Sequence, residues 1–225
     1  MKNIILQHFD GELRELDKLS IENIKQYSEM VGADYQLILG KPFRSHLTEP
    51  CQKVHMISEE FDDYDKVCMV DIDMFAPIGM ERNIFEEKGV GLYSKMQKFL
   101  HRRLSINRPD IASLNQPYWG GAIYHMERSL RQRLRSALGG NESWMEYYNE
   151  KYKYEDEGIF HTLAVYSLPR LKKSEMYLDP RWCQDSYLPY PKKAYFIHIR
   201  EKITPDGPSQ DKLKNYHALV KGGVL

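Results

Sequence analysis

Asp71 and Asp73, two residues apart, close the apolar run Val67-Cys68-Met69-Val70. On an extended strand this spacing places both carboxylates on one face, about 6 to 7 Å apart. Carboxylates so close repel each other, and burying them uncompensated is costly. A cation resolves the conflict, and oxygen ligands favour Mg²⁺ or Mn²⁺. Such an ion can grip a diphosphate and neutralise the charge that builds as it leaves. The plainer explanation, two acids that end a strand and cap the next turn, requires no ligand.

Other residues carry chemistry less directly. Gly120-Gly121 lets a ligand approach the backbone closely, or serves as an ordinary turn before a strand. Asp156 and Glu157 open a helix, where the dipole favours acids, and either can act as a general base. His198 lies in an apolar segment, as a core histidine or as a metal ligand beside carboxylates. Lys53 stands on the helix before the acidic strand, within reach of a phosphate or a sugar hydroxyl. Trp119 offers a flat face against which a sugar can pack, whereas Trp144, Tyr147, Tyr148, Tyr152 and Tyr154 read as core or surface packing. The basic run at 95–103 reads as a solvated helix face in preference to a loop that closes over a diphosphate.

These residues need a scaffold, and the apolar pattern supplies one. Strands are expected over 3–9, 34–39, 66–73, 89–93, 121–126 and 194–199. Helices are expected from Ser20, as N-cap, to the stop at Gly32, and over 48–61, 126–138 and 156–166, with the arginines of the third facing solvent. Strand, helix, strand, helix, strand within the first 73 residues is the signature of an α/β domain with a mostly parallel central sheet flanked by helices. Such sheets bind ligands at the carboxyl ends of their strands.

The 225 residues are expected to form one catalytic domain over 1–203, followed by a breaker-rich linker and short helix over 204–225 that lead toward a further domain. Hydrophobic residues at 42% and charged residues at 28% exclude disordered and collagenous classes. Lys plus Arg equal Asp plus Glu at 32 each, so no global attraction to nucleic acid or anionic membrane exists and partners must be recognised locally. Cys51, Cys68 and Cys183 lack zinc or disulfide spacing, and no stretch approaches the roughly 18 apolar residues of a membrane span. A cytoplasmic location is expected.

Several motifs taken together resemble the glycosyltransferase A-fold families that carry an Asp-x-Asp. These are Tyr64 through Met74 with its Asp-Ile-Asp, Trp119-Gly120-Gly121-Ala122-Ile123-Tyr124, Asp156-Glu157-Gly158-Ile159-Phe160, and Tyr195-Phe196-Ile197-His198-Ile199. The size is most similar to that of the glycosyltransferase domains of large DNA viruses of algae. The resemblance implies transfer of a sugar from a nucleoside diphosphate, a UDP-sugar, to a carbohydrate acceptor, with Mn²⁺ or Mg²⁺ as cofactor. It implies metal ligation by Asp73 and His198, with Asp71 on the metal or ribose, and donor binding by Gln7, Phe9 and Lys53. It further implies a sugar site along Trp119, Gly120 and Gly121, and Asp156 or Glu157 at the reaction centre. The families' His-x-x-Gly-x-x-Lys lacks its glycine in His198-Ile199-Arg200-Glu201-Lys202, which weakens a diphosphate role for Arg200 or Lys202.

Two rivals remain. A haloacid dehalogenase-like phosphatase also ends a strand in Asp-x-Asp, but there the motif opens the fold and continues differently from Met74-Phe75. A non-catalytic module would bind a nucleotide-sugar without turnover.

Overall fold

The computed structural model describes residues 1–139, 145, 155–169, 176–186, 193–200, 202–204, 207–209 and 211–225. The aromatic group at 144, 147, 148, 152 and 154 lies outside them. Strand β1 (Asn3–Phe9) is apolar on both faces, as a strand covered on both sides must be. It pairs in parallel with β2 (Asp34–Leu39) and with β3 (Lys66–Val70). β5 (Gly91–Leu92) and β6 (Gly120–Glu127) complete a five-stranded sheet of order β2-β1-β3-β6-β5, in which β6 runs against both its neighbours. Four of the five strands therefore point the same way.

Alternation along the central strands divides the core. Ile4, Leu6, Val67 and Met69 pack with Val54, Ile57, Phe61, Leu134 and Phe160 on one face. Ile5, Cys68 and Val70 pack with Ile24, Tyr27, Trp182 and Phe196 on the other. The covering helices are α1 (Glu15–Met30), α2 (Lys95–Asn107), α3 (Arg128–Ser136) and α4 (Glu155–Ser167).

Several local expectations are corrected. α1 starts before Ser20, because Asp17 accepts from the Arg14 N–H at 2.8 Å and caps the helix there. Ser20 is buried inside the helix and donates to the Met74 carbonyl at 2.7 Å. The helix expected over 48–61 is two 3-10 runs, Glu49–Ile57 and Glu59–Phe61. Thr48 directs its hydroxyl to Glu155, 3.1 Å away, instead of capping this run. The arginines of α3 do not all face solvent. Arg131 is fully buried and donates at 2.8 Å to the carbonyls of Phe61 and Tyr64, at and just beyond the end of the second 3-10 run.

A small second sheet, order β4-β8-β7, joins β4 (Met74–Phe75), β7 (Gln184–Asp185) and β8 (Ile197–His198), the last much shorter than the strand expected over 194–199. The segment expected as a linker forms a hairpin of β9 (Lys202–Thr204) and β10 (Gly207–Ser209), followed by helix α5 (Lys212–Lys221). Leu219 and Val224 are buried with Leu16, Phe75 and Ile197, so α5 belongs to the body of the fold.

Candidate active site

β3 ends at Val70, and Asp71 to Asp73 form a turn instead of continuing the strand. Aspartate favours such turns, and the Met74 N–H donates to the Asp71 carbonyl at 3.2 Å to close this one. Gln7, fully buried, fixes the turn from behind: its Nε2 donates to the Asp71 carbonyl at 3.1 Å and to Ser20 Oγ at 3.0 Å. Tyr35 donates to Gln7 Oε1 at 2.9 Å. The carboxylates converge by turn geometry and not by strand alternation.

His198 arrives from the second sheet. β4 and β8 pair Met74 with His198, and the Ile199 N–H donates to the Asp73 carbonyl at 2.9 Å. One ligand atom each from Asp71, Asp73 and His198 lie within 4.8 Å of one another. Two carboxylates and an imidazole at this separation are a suitable donor set for a divalent cation. His198 Nε2 is 2.9 Å from Asp73 Oδ1, and its Nδ1 faces Cys183 Sγ at 3.7 Å.

Two lysines share the charge of these acids. Lys53, almost fully buried, places Nζ 2.8 Å from Asp71 Oδ1, 3.0 Å from Asp156 Oδ2 and 2.6 Å from the Gly121 carbonyl. Lys212, at the start of α5, sets Nζ 2.6 Å from Asp73 Oδ2. Burial opposes the charge on Asp73, yet His198 and Lys212 hold its carboxyl well below the usual range. Burial also opposes the charge on His198, yet Asp73 pushes its pKa up to about 10.

A cleft of about 580 Å³ opens over this group, lined by His8, Phe9, Glu49, Lys53, the 71–73 turn and Lys212 among others. Its size suits a small-molecule ligand. Behind it, Lys53 connects the turn to the acids that open α4. Asp156, nearly buried, accepts from Tyr124 Oη at 2.8 Å, and burial raises its pKa. Glu157 is partly exposed and accepts from the Gly121 N–H at 2.8 Å and from Gln97 at 3.1 Å. Burial, followed by the charge of Asp156, pushes its pKa up to about 7.

The glycine pair permits a close approach, but the groups that approach are protein groups. A Cβ on Gly121 would lie 2.7 Å from Asp156 Oδ2, and one on Gly120 would lie 3.0 Å from the Gln97 side chain. Trp119 is fully buried and donates from its indole to the Met176 carbonyl at 2.7 Å, so its ring packs in the core and presents no open face. Arg200 pairs with Asp185 at 3.3 Å, and Lys202 opens β9. The run at 95–103 is helical, within α2. Sequence reasoning missed Lys212, which sits in no pattern that marks it, and gave no role to Tyr124, although it closes the Gly-Gly motif.

A parallel βαβ start, a reversed β6 beside β3, and an Asp-x-Asp turn at the β3 tip facing a cleft define the glycosyltransferase A fold. Solved structures agree in architecture. A glycosyltransferase involved in glycosylation of the major capsid of PBCV-1 aligns with a TM-score of 0.54 and 13% identity, over 98% of this chain and 100% of that one. An active-site variant of LgtC aligns at 0.54 and 13%, over 98% and 96%. The galactosyltransferase LgtC in complex with donor and acceptor sugar analogues aligns at 0.52 and 11%, over 97% and 95%. No protein-family model and no curated protein sequence matches the chain. No helix among the described residues is long and apolar enough to cross a membrane.

Proposed function

We propose that this protein is a metal-dependent glycosyltransferase that moves a sugar from a UDP-sugar donor to a carbohydrate acceptor. The observation that carries the reading is the convergence of Asp71, Asp73 and His198, the two acids of which line the cleft with His198 behind Asp73. In this reading those three residues hold Mn²⁺ or Mg²⁺, and such an ion when bound supplies positive charge toward a leaving diphosphate. Phe9 and His8 receive the nucleoside at the end of β1, and Gln7 acts behind them by fixing the turn. Lys53 keeps Asp71 and Asp156 at set positions, and Lys212 offers a second cation at the cleft. Glu157, whose pKa lies near neutrality, is the acid suited to take a proton from an acceptor hydroxyl. Asp156 is already engaged by Lys53 and Tyr124 and serves to position Glu157 and the Gly121 backbone. The three cysteines are free, in keeping with a reducing compartment such as the cytoplasm.

Calorimetry of UDP binding with Mn²⁺ and with a chelator tests the metal clamp. Binding is expected only with metal, and Asp73→Ala should abolish both the binding and the release of UDP from a UDP-sugar. Equal UDP affinity under both conditions overturns the clamp. Phosphate release from a generic aryl phosphate, with no UDP-sugar turnover, would favour the phosphatase alternative.

A further inference from the structure

Helix α2 has an outer face that neither the fold nor the proposed reaction uses. Its inner side is anchored: Leu104 and His101 are buried, His101 bonds to the Ser113 carbonyl at 3.0 Å, and Ser94 caps the first turn. Its outer side exposes Met96 at 60%, Phe99 at 59% and Ile106 at 67%. Positions 96, 99, 103 and 106 follow helical spacing, so these apolar groups and Arg103 share one stripe. Lys95, Lys98 and Arg102 flank it, and the helix contains no acidic residue. Among the described residues no acidic side chain pairs with any of these four cations. The chain as a whole is neutral, so this positive charge is a local concentration.

We infer that the outer face of α2 docks on an anionic lipid surface. An interfacial helix needs apolar groups to enter the acyl boundary, cations beside them to meet the headgroups, and a fixed inner face. α2 supplies all three without spanning a bilayer. A nucleic acid would use the cations but leave Met96 and Ile106 without a partner. Three large apolar side chains aligned in one stripe form a contiguous patch, unlike the singly scattered apolar residues of an ordinary hydrated surface. This surface stands independently of the sugar-transfer reading.

The test is sedimentation of the full chain with phosphatidylcholine vesicles, with and without phosphatidylserine, at low and high salt. Binding is expected with phosphatidylserine, much less without it, and reduced by salt. Each cation near an anionic surface contributes roughly fivefold, so Arg102→Gln/Arg103→Gln should weaken binding by about 25-fold. Phe99→Ser/Ile106→Ser should weaken it by at least about tenfold, through lost apolar burial. All four positions are exposed, and circular dichroism and melting at the wild-type values will establish that both variants fold. No sedimentation of the wild-type chain, or equal sedimentation of all three proteins, overturns the inference. Preferential binding to polyglutamate or to single-stranded RNA over the vesicles overturns the lipid assignment.

Discussion

Lys53→Met should destabilise the protein by about 3–5 kcal/mol at pH 8, as expected when one partner of a buried ion pair is removed. At an effective dielectric near 20, one charge about 3 Å from another is worth roughly 5 kcal/mol before desolvation is subtracted. Lys53 makes two such contacts, with Asp71 at 2.8 Å and with Asp156 at 3.0 Å. The loss is unequal. The Asp71 side chain is 25% exposed and can rehydrate, whereas that of Asp156 is 5% exposed and cannot, so most of the cost falls on Asp156. Burial already raises the Asp156 pKa and Lys53 opposes that rise, so removing the lysine raises it further. A carboxyl whose folded pKa exceeds its unfolded value binds more protons in the native state, and stability then falls as pH rises through that range. The deficit of the variant should accordingly shrink at pH 5 relative to pH 8. Urea denaturation of both proteins at the two pH values measures it. A loss below about 1 kcal/mol at pH 8 would refute the reasoning, as would a deficit of equal size at both pH values. Lys53→Met/Asp156→Asn should recover part of the loss.

Lys212→Met should tighten Mn²⁺ binding by a few-fold, because ammonium and metal compete for Asp73 and a partly exposed pair is worth up to about 1 kcal/mol; unchanged affinity by calorimetry would sink the competition. If Glu157 acts as the base, kcat/KM should rise with pH and level off above about 7, since the ionised form dominates only above its pKa. Glu157→Gln should abolish that limb, and a profile that falls through pH 7 would assign it the opposite role. Gly121→Ala should cost about 1–3 kcal/mol by overpacking, since its methyl would lie 2.7 Å from Asp156 Oδ2. Wild-type stability in urea would show that Asp156 moves aside.

How much of this was readable beforehand depends on the range of the interactions involved. β1 and the body of β3 were legible because each is a short apolar run buried on both faces, and β2 because its apolar residues stand between a turn at Gly32 and another at Gly40, although as an edge strand it buries only Ile38. The start of α1 was misplaced because Ser20 has the chemistry of a cap, but an earlier cap at Asp17 outcompetes it and leaves Ser20 to bond across to Met74. Arg131 looked solvent-facing because helical spacing cannot reveal the carbonyls of Phe61 and Tyr64, about seventy residues away, that accept from it in the interior. Trp119 was expected against a ligand for the same reason, since the Met176 carbonyl that binds its indole lies 57 residues away.

The acid pair illustrates a different point. The expected geometry, alternation on one strand, is absent, yet the carboxylates come together, because the turn that replaces the strand is held by three remote contacts. These are Gln7 on the Asp71 carbonyl, Ile199 on the Asp73 carbonyl, and the Met74–His198 pairing. Two of the three come from the segment around His198, so the same backbone bonds that shape the turn also deliver the imidazole to it. A variant that disrupts β8 should therefore disturb the placement of Asp73 and not only remove a histidine. Lys212 was invisible in sequence because its role depends on α5 packing against Leu16 and Phe75, a contact that no local pattern encodes. The charged residues gathered around the acid pair thus come from the 3-10 run, β8 and α5 as well as from the β3 turn itself, and only the β3 turn announces itself in a single stretch of chain.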